Sequence, residues 1–386
     1  MEASVARVNS LFTSRKARAF TLMCVTLGSV FLIDLFMQYQ QIEVGTSAIR
    51  TPLYIIRGLF ATNVPHFTAL YLIRSLLIAL GTATFVAALS EPRDPASMIT
   101  AQVTNEPTEL MFKRMRFWIW LVIAMGAVSL VTFIVQPKIF SRLAVEDGVV
   151  ETFSALGYFA SVIVLISTSF VLLRRNVPYR KLSITLALGG AFVLFIMGGE
   201  EISWGQRIFD IATPDTFVGN HQGEMNLHNF AANTLESIFY FLATVWLVII
   251  PFINSRTGFF QRFRPLALFV PAQFLIFIGV LATAYNYDKW DIGLMQFCFF
   301  ISLFVLLQFQ RDDSRAVASK EMVIALIVLL VGSQIAFIAF GNNLRRVWDP
   351  TEYREMFIPF GYMVYSLDVF QRARHTQSIA KTTTAR

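Results

Sequence analysis

The chain alternates between long apolar runs and short polar stretches from its first residues to its last. Apolar runs fall near residues 19–38, 66–89, 117–136, 149–173, 182–199, 230–252, 265–285, 292–309 and 321–341. As helices, runs of roughly 20 residues cross a hydrocarbon core of about 30 Å. Lipid offers backbone groups no hydrogen-bond partner, so only helices or closed barrels span it, and continuous apolar runs exclude a barrel. The pattern predicts an all-α polytopic transmembrane helical bundle with about 9–10 membrane helices. The tenth candidate, residues 356–370, is short for a span and contains Pro359, Gly361 and Asp368. A tilted or re-entrant helix competes there with a true crossing, and the basic residues behind it favour the crossing.

Three parts follow from this pattern. Residues 1–18 form a polar N-terminus, residues 19–370 a single membrane domain, and residues 371–386 a basic tail expected to be disordered. Residues 44–62 are amphipathic and fit the membrane surface, and residues 90–116 read as a polar linker. No small-residue cleavage site follows the first apolar run, so that run is expected to remain as a signal anchor.

Composition agrees: 55% of the 386 residues are hydrophobic and only 15% charged, with a mean hydropathy of +0.59. The net charge of +7 does not point to nucleic acid, because the basic residues sit at helix ends, where they set topology. Counted by segment, 18 Lys and Arg fall on one side and 9 on the other. This asymmetry predicts a cytoplasmic N-terminus. Cys24 and Cys298 both lie in apolar runs and read as buried thiols. Asp34 falls near the outer end of its helix and Arg74 about two turns into the next, so both are placed in the outer half and expected to pair, since an unpaired charge in lipid is costly.

The chemistry concentrates between Gly198 and Asn229, GGEEISWGQRIFDIATPDTFVGNHQGEMNLHN. Two adjacent carboxylates, Glu200 and Glu201, end the fifth helix, where the helix dipole gives them nothing. Glu146, Asp147, Glu151, Glu224, Asp288, Asp291, Glu352 and Glu355 fall on the same side in this topology. The predicted site is one outward-facing cavity holding Glu200, Glu201, Glu224 and His228, with Glu151 and Asp288 or Glu355 nearby. Glu200 and Glu201 are the candidate catalytic acid and base, Glu201 being the one expected to face inward. Trp204, Gln206, Arg207, Asn226 and Asn229 are the candidate substrate-binding residues, Arg207 for an anionic group. Glu224 and His228, four apart and expected on one helical face, are the candidate metal ligands, with His221 upstream. Carboxylate and imidazole suit a divalent metal such as zinc or manganese. Asn226, Asn229, Asn233 and Glu236 are expected to line another face of the sixth helix. Ser203 lacks the strand–turn setting of a nucleophile elbow.

The strings GGEEISWGQR and QGEMNLHN, with EDGVVE upstream, resemble a pattern shared by a family of uncharacterised bacterial multi-pass inner-membrane proteins. The resemblance covers roughly residues 140 to 360, implies a bacterial inner membrane and brings no established activity with it. The residues themselves lead to an integral-membrane enzyme, acting by hydrolysis or group transfer on a membrane lipid or a lipid-linked or anionic substrate. A proton- or cation-coupled transporter and a non-catalytic partner in an envelope complex stay open as alternatives.

Overall fold

Where described, the long apolar runs fold chiefly as helices, because only the i to i−4 ladder pairs their backbone groups internally. The computed structural model describes residues 21–26, 28–30, 69–90, 109–175, 179–217, 223–227, 232–260, 263, 266–312 and 317–375. Among these residues the secondary structure is helical, without strands. The N-terminal run is helical where described. The helices that follow are α1 (Ala69–Leu89), α2 (Glu109–Val135), the short α3 (Pro137–Leu143), α4 (Val149–Leu173) and α5 (Arg180–Glu201). Next, α6 runs from Ala232–Thr244 through a π turn, Val245–Ile249, into Ile250–Thr257. The last elements are α7 (Gln273–Tyr285), α8 (Gly293–Arg311), α9 (Lys320–Phe340) and α10 (Asp349–His375). Among the described residues seven helices are long and apolar enough to cross a membrane.

The outer faces of these helices carry Leu76, Val128, Ile163, Phe192, Ile335 and Ile338, all large and exposed. In water each would cost about 25 cal/mol per Å² of apolar surface; hydrocarbon removes that cost. The chain is a multi-pass membrane protein.

α10 departs from expectation. It is a 27-residue helix, not a 15-residue one, and at 1.5 Å per residue it spans about 40 Å. Its hydropathy is low because neighbouring helices, not lipid, surround it: Asp349, Arg354, Ser366 and Asp368 are all buried. It packs chiefly on α4, where a β-carbon on Gly157 would stand 3.1 Å from the Pro359 Cβ. Residues 371–375, expected in the disordered tail, continue this helix; the rest of that tail lies outside the described residues.

α7 also differs. The run at 265–285 was expected to form one full span, but regular helix covers only Gln273–Tyr285, much of it 3₁₀. Residues 274–286 are all buried within the bundle, so protein rather than lipid surrounds this broken element. Arg74 on α1 is fully buried, donates to the Asp291 carbonyl at 2.6 Å and stacks on Tyr71. Its expected partner Asp34 lies outside the described residues.

Contacts across the bundle bring the start of α4, the end of α5, the α7–α8 turn and the start of α10 to one end. Arg207 bonds Glu151, Thr351 bonds Asp288, and Arg346 bonds the Ala144 carbonyl.

Candidate functional site

The site grows from the abrupt end of α5 at Glu201. Ser203, Trp204 and Gly205 follow with φ of 46°, 54° and 76°, three consecutive residues in the left-handed region. L side chains adopt that region at a cost, so the loop must be held by other contacts. Glu200 supplies two of them. One carboxylate oxygen accepts from the Trp204 indole at 2.8 Å, and the other accepts from the Leu227 backbone N–H at 2.6 Å. Gln206 supplies two more: its amide donates to Thr213 Oγ1 at 2.8 Å and accepts from the Met225 N–H at 2.6 Å. Thr213 in turn donates to the Gly223 carbonyl.

Arg207 joins the three motifs. Its guanidinium lies 2.9 Å from Glu224, 2.9 Å from Glu151, 3.1 Å from Asp147 and 3.6 Å from Glu146. Glu151 uses its second oxygen to accept from the Asp147 N–H at 2.6 Å, capping the start of α4. Ser203 donates to Glu224 at 2.6 Å, and the Asn226 amide donates to both Ser203 and Glu224. The planar fork of arginine suits this convergence, since it presents several donors to several carboxylates at once.

Two sequence expectations are corrected here. Residues 223–227 are not helical, so Asn226 lies in the loop and not on a face of α6, and helical spacing does not relate Glu224 to His228. Glu200, Glu201 and Glu224 do not share one cavity. The chain ends its helix at Glu201, so the two glutamates diverge: Glu200 turns to the loop and Glu201 to α10. Gly205 sits outside the helix and against the Phe209 ring. His221, His228 and Asn229 lie outside the described residues. The side-chain environment of Asn233 is likewise not described. Among the described residues no group of three or more His, Cys, Asp or Glu has the geometry to hold a metal. The Glu224 oxygens accept from Arg207, Ser203 and Asn226.

Glu201 belongs to a second cluster beside the first. Its carboxylate is within electrostatic reach of Glu355, Glu151 and Glu236, and Ser154 lies against it. Ser154 also donates to the Glu355 carbonyl at 2.8 Å. Among the described residues no basic side chain stands within ion-pair distance of Glu201. The Tyr240 hydroxyl bonds the Glu355 carboxylate. Lys289 pairs with Glu236 at 3.1 Å and lies 3.8 Å from Asp288, which accepts from Thr351 at 2.6 Å. Burial raises the Asp288 carboxyl above its ordinary range, opposed by Arg354 and Lys289.

Arg354, one of the basic residues that the topology brings to this face, and Tyr240, which sequence reasoning missed, extend this cluster into the core. Arg354 is 1% exposed. Its guanidinium lies 4.5 Å from the Tyr240 ring centroid and donates to the Tyr285 carbonyl, while its Nε has no partner. Beside it is a cavity of about 10 Å³ lined by Tyr240, Thr244, Thr283, Asn286, Cys298 and Arg354 among others, room for one water. Tyr240 left no signal of its own, since a tyrosine within an apolar run reads as core.

These observations define a class: a polytopic α-helical membrane protein with a partly buried carboxylate cluster at one end of its bundle. Compared with protein-family models, with curated proteins and with solved structures, the chain matches none.

Proposed function

We propose that the chain is an integral-membrane acid–base enzyme whose working pair is Glu201 and Glu355. The observation that carries this reading is the half-buried Glu201 carboxylate at the end of α5, within electrostatic reach of the Glu355 carboxylate and without a basic partner among the described residues. Holding two carboxylates close together away from bulk water is costly, and proton transfer is the chemistry that uses such a pair. In a hydrolysis or group transfer, one glutamate takes the proton from the attacking water or hydroxyl as the new bond to oxygen forms. The other gives its proton to the leaving oxygen as the old bond breaks. Position at a helix end favours a lipid or lipid-linked substrate. Arg207 is held by carboxylates, so in this reading it fixes the loop instead of receiving an anionic group.

The basic asymmetry supports a cytoplasmic N-terminus and a periplasm-facing site in a bacterial inner membrane, as in the family whose motifs the chain resembles. A second reading, a proton- or cation-coupled transporter, is favoured by the broken α7 and the π turn of α6 packed near it. Broken helices of this kind commonly line transport sites.

The test is to incubate the purified protein in nanodiscs with a total envelope lipid extract and follow lipid masses. The enzyme reading expects new species with the wild type and none with Glu201→Gln or Glu355→Gln. A proton flux through proteoliposomes without any lipid conversion supports the transporter instead.

A further inference from the structure

We infer that residues 204–211 are a membrane-embedded platform, lying in the interfacial layer of the bilayer and in contact with phospholipid. The loop is built inside out for water. Two of its three polar side chains turn inward: Gln206 is buried against Thr213 and Met225, and Arg207 is tied to Glu151 and Glu224, while Asp210 is exposed and suits the headgroup side of the layer. Its apolar side chains turn outward: Phe209 is 73% and Ile208 66% exposed, with Ile211, Trp204 and the nearby Leu227 also open. A loop bathed in water arranges these groups the other way.

Two observations set the loop at the level of the lipid. The Arg207–Glu151 bond draws it down to the first turn of α4, where Val149 and Phe153 are exposed on the outer face. The Trp204 ring meets Phe195 edge to face at 6.0 Å, and Phe195, Val193 and Phe192 form the exposed face of α5. The apolar belt therefore continues from α5 through Trp204 to Ile208 and Phe209 without a polar break at its surface. Left-handed residues at 203–205 and at Asp210 turn the backbone back toward the bundle. Amphipathic segments with this disposition bury their apolar face about 5–10 Å into the boundary of headgroups and acyl chains. The occupant of this surface is the lipid already covering the neighbouring helix faces. A lipid can then reach the Glu201 end of the bundle sideways, from within the leaflet.

The test uses the full-length protein with Cys24→Ser, a nitroxide on Phe209→Cys, and nanodiscs of phosphatidylcholine. Oxygen partitions into lipid and chelated nickel stays in water. The platform predicts a label more accessible to oxygen than to nickel, as at a Phe192→Cys control on the lipid-facing belt. Greater access to nickel overturns it. An immobilised label shielded from both, the mark of a protein partner or second copy, also overturns it. The result is independent of any activity at Glu201, so this inference and the enzyme reading can fail separately.

Discussion

Nη2 of Arg207 stands 2.9 Å from Oε1 of Glu151, a residue 56 positions earlier at the start of a different membrane helix. With the bond to Glu224 at 2.9 Å, it makes one guanidinium the clasp between three separated motifs. The loop it closes follows directly on the end of α5, where Glu200 bonds Trp204 and Leu227.

Replacing Arg207 with Gln removes the cation and leaves several carboxylates facing one another. Hydrogen bonds to charged groups contribute about 1.5–3 kcal/mol each, and partial exposure with salt screening reduces this. The expected loss is about 1–2 kcal/mol of stability, with faster protease cleavage between residues 208 and 217. Arg207→Lys recovers only part, because an ammonium cannot fork between carboxylates. Melting in detergent and limited proteolysis read both effects; an unchanged profile in each contradicts the clasp.

Asp288 gives a pH-dependent prediction. Burial raises its carboxyl, so the folded state binds the proton more tightly than the unfolded chain does. Its contribution to stability is complete below the ordinary aspartate range and is lost as pH rises through the raised, folded value. Asp288→Asn keeps an acceptor for Thr351 and has no charge to bury. The variant should melt above the wild type near about pH 8 and lose that advantage toward about pH 4. An advantage that grows on acidification contradicts the assignment.

The orientation is tested by fusions. The basic asymmetry predicts an active phosphatase after residue 215 and an inactive one after residue 178. The reverse pattern turns the site to the cytoplasm.

Much of the fold was legible because lipid-facing helices must be apolar along their length. Val149–Leu173 was bounded correctly from composition alone. α10 was underread for the same physical reason: hydropathy reports contact with lipid, and a helix enclosed by others can carry Arg354 and Asp368. The broken start of α7 was hidden because an apolar run looks alike whether it is helix or buried coil. At the site, the grouping of EDGVVE, GQR and GE at one end was legible from topology. The divergence of Glu200 and Glu201 was not, since it depends on Ser203 and Trp204 adopting left-handed backbone that neither residue prefers.

That divergence gives the most direct test of the central claim. Glu200 holds Trp204 and Leu227, whereas Glu201 faces Glu355. Glu200→Gln keeps one acceptor but turns an amide donor toward a donor, an unsatisfied contact worth about 1–3 kcal/mol. It should lower the melting temperature while the folded fraction keeps its activity on the lipid extract. Glu201→Gln relieves the repulsion with Glu355, so it should melt at or above the wild type and convert no lipid. The measurement is lipid conversion per folded molecule for the two variants side by side. Full conversion by a well-folded Glu201→Gln protein contradicts the account.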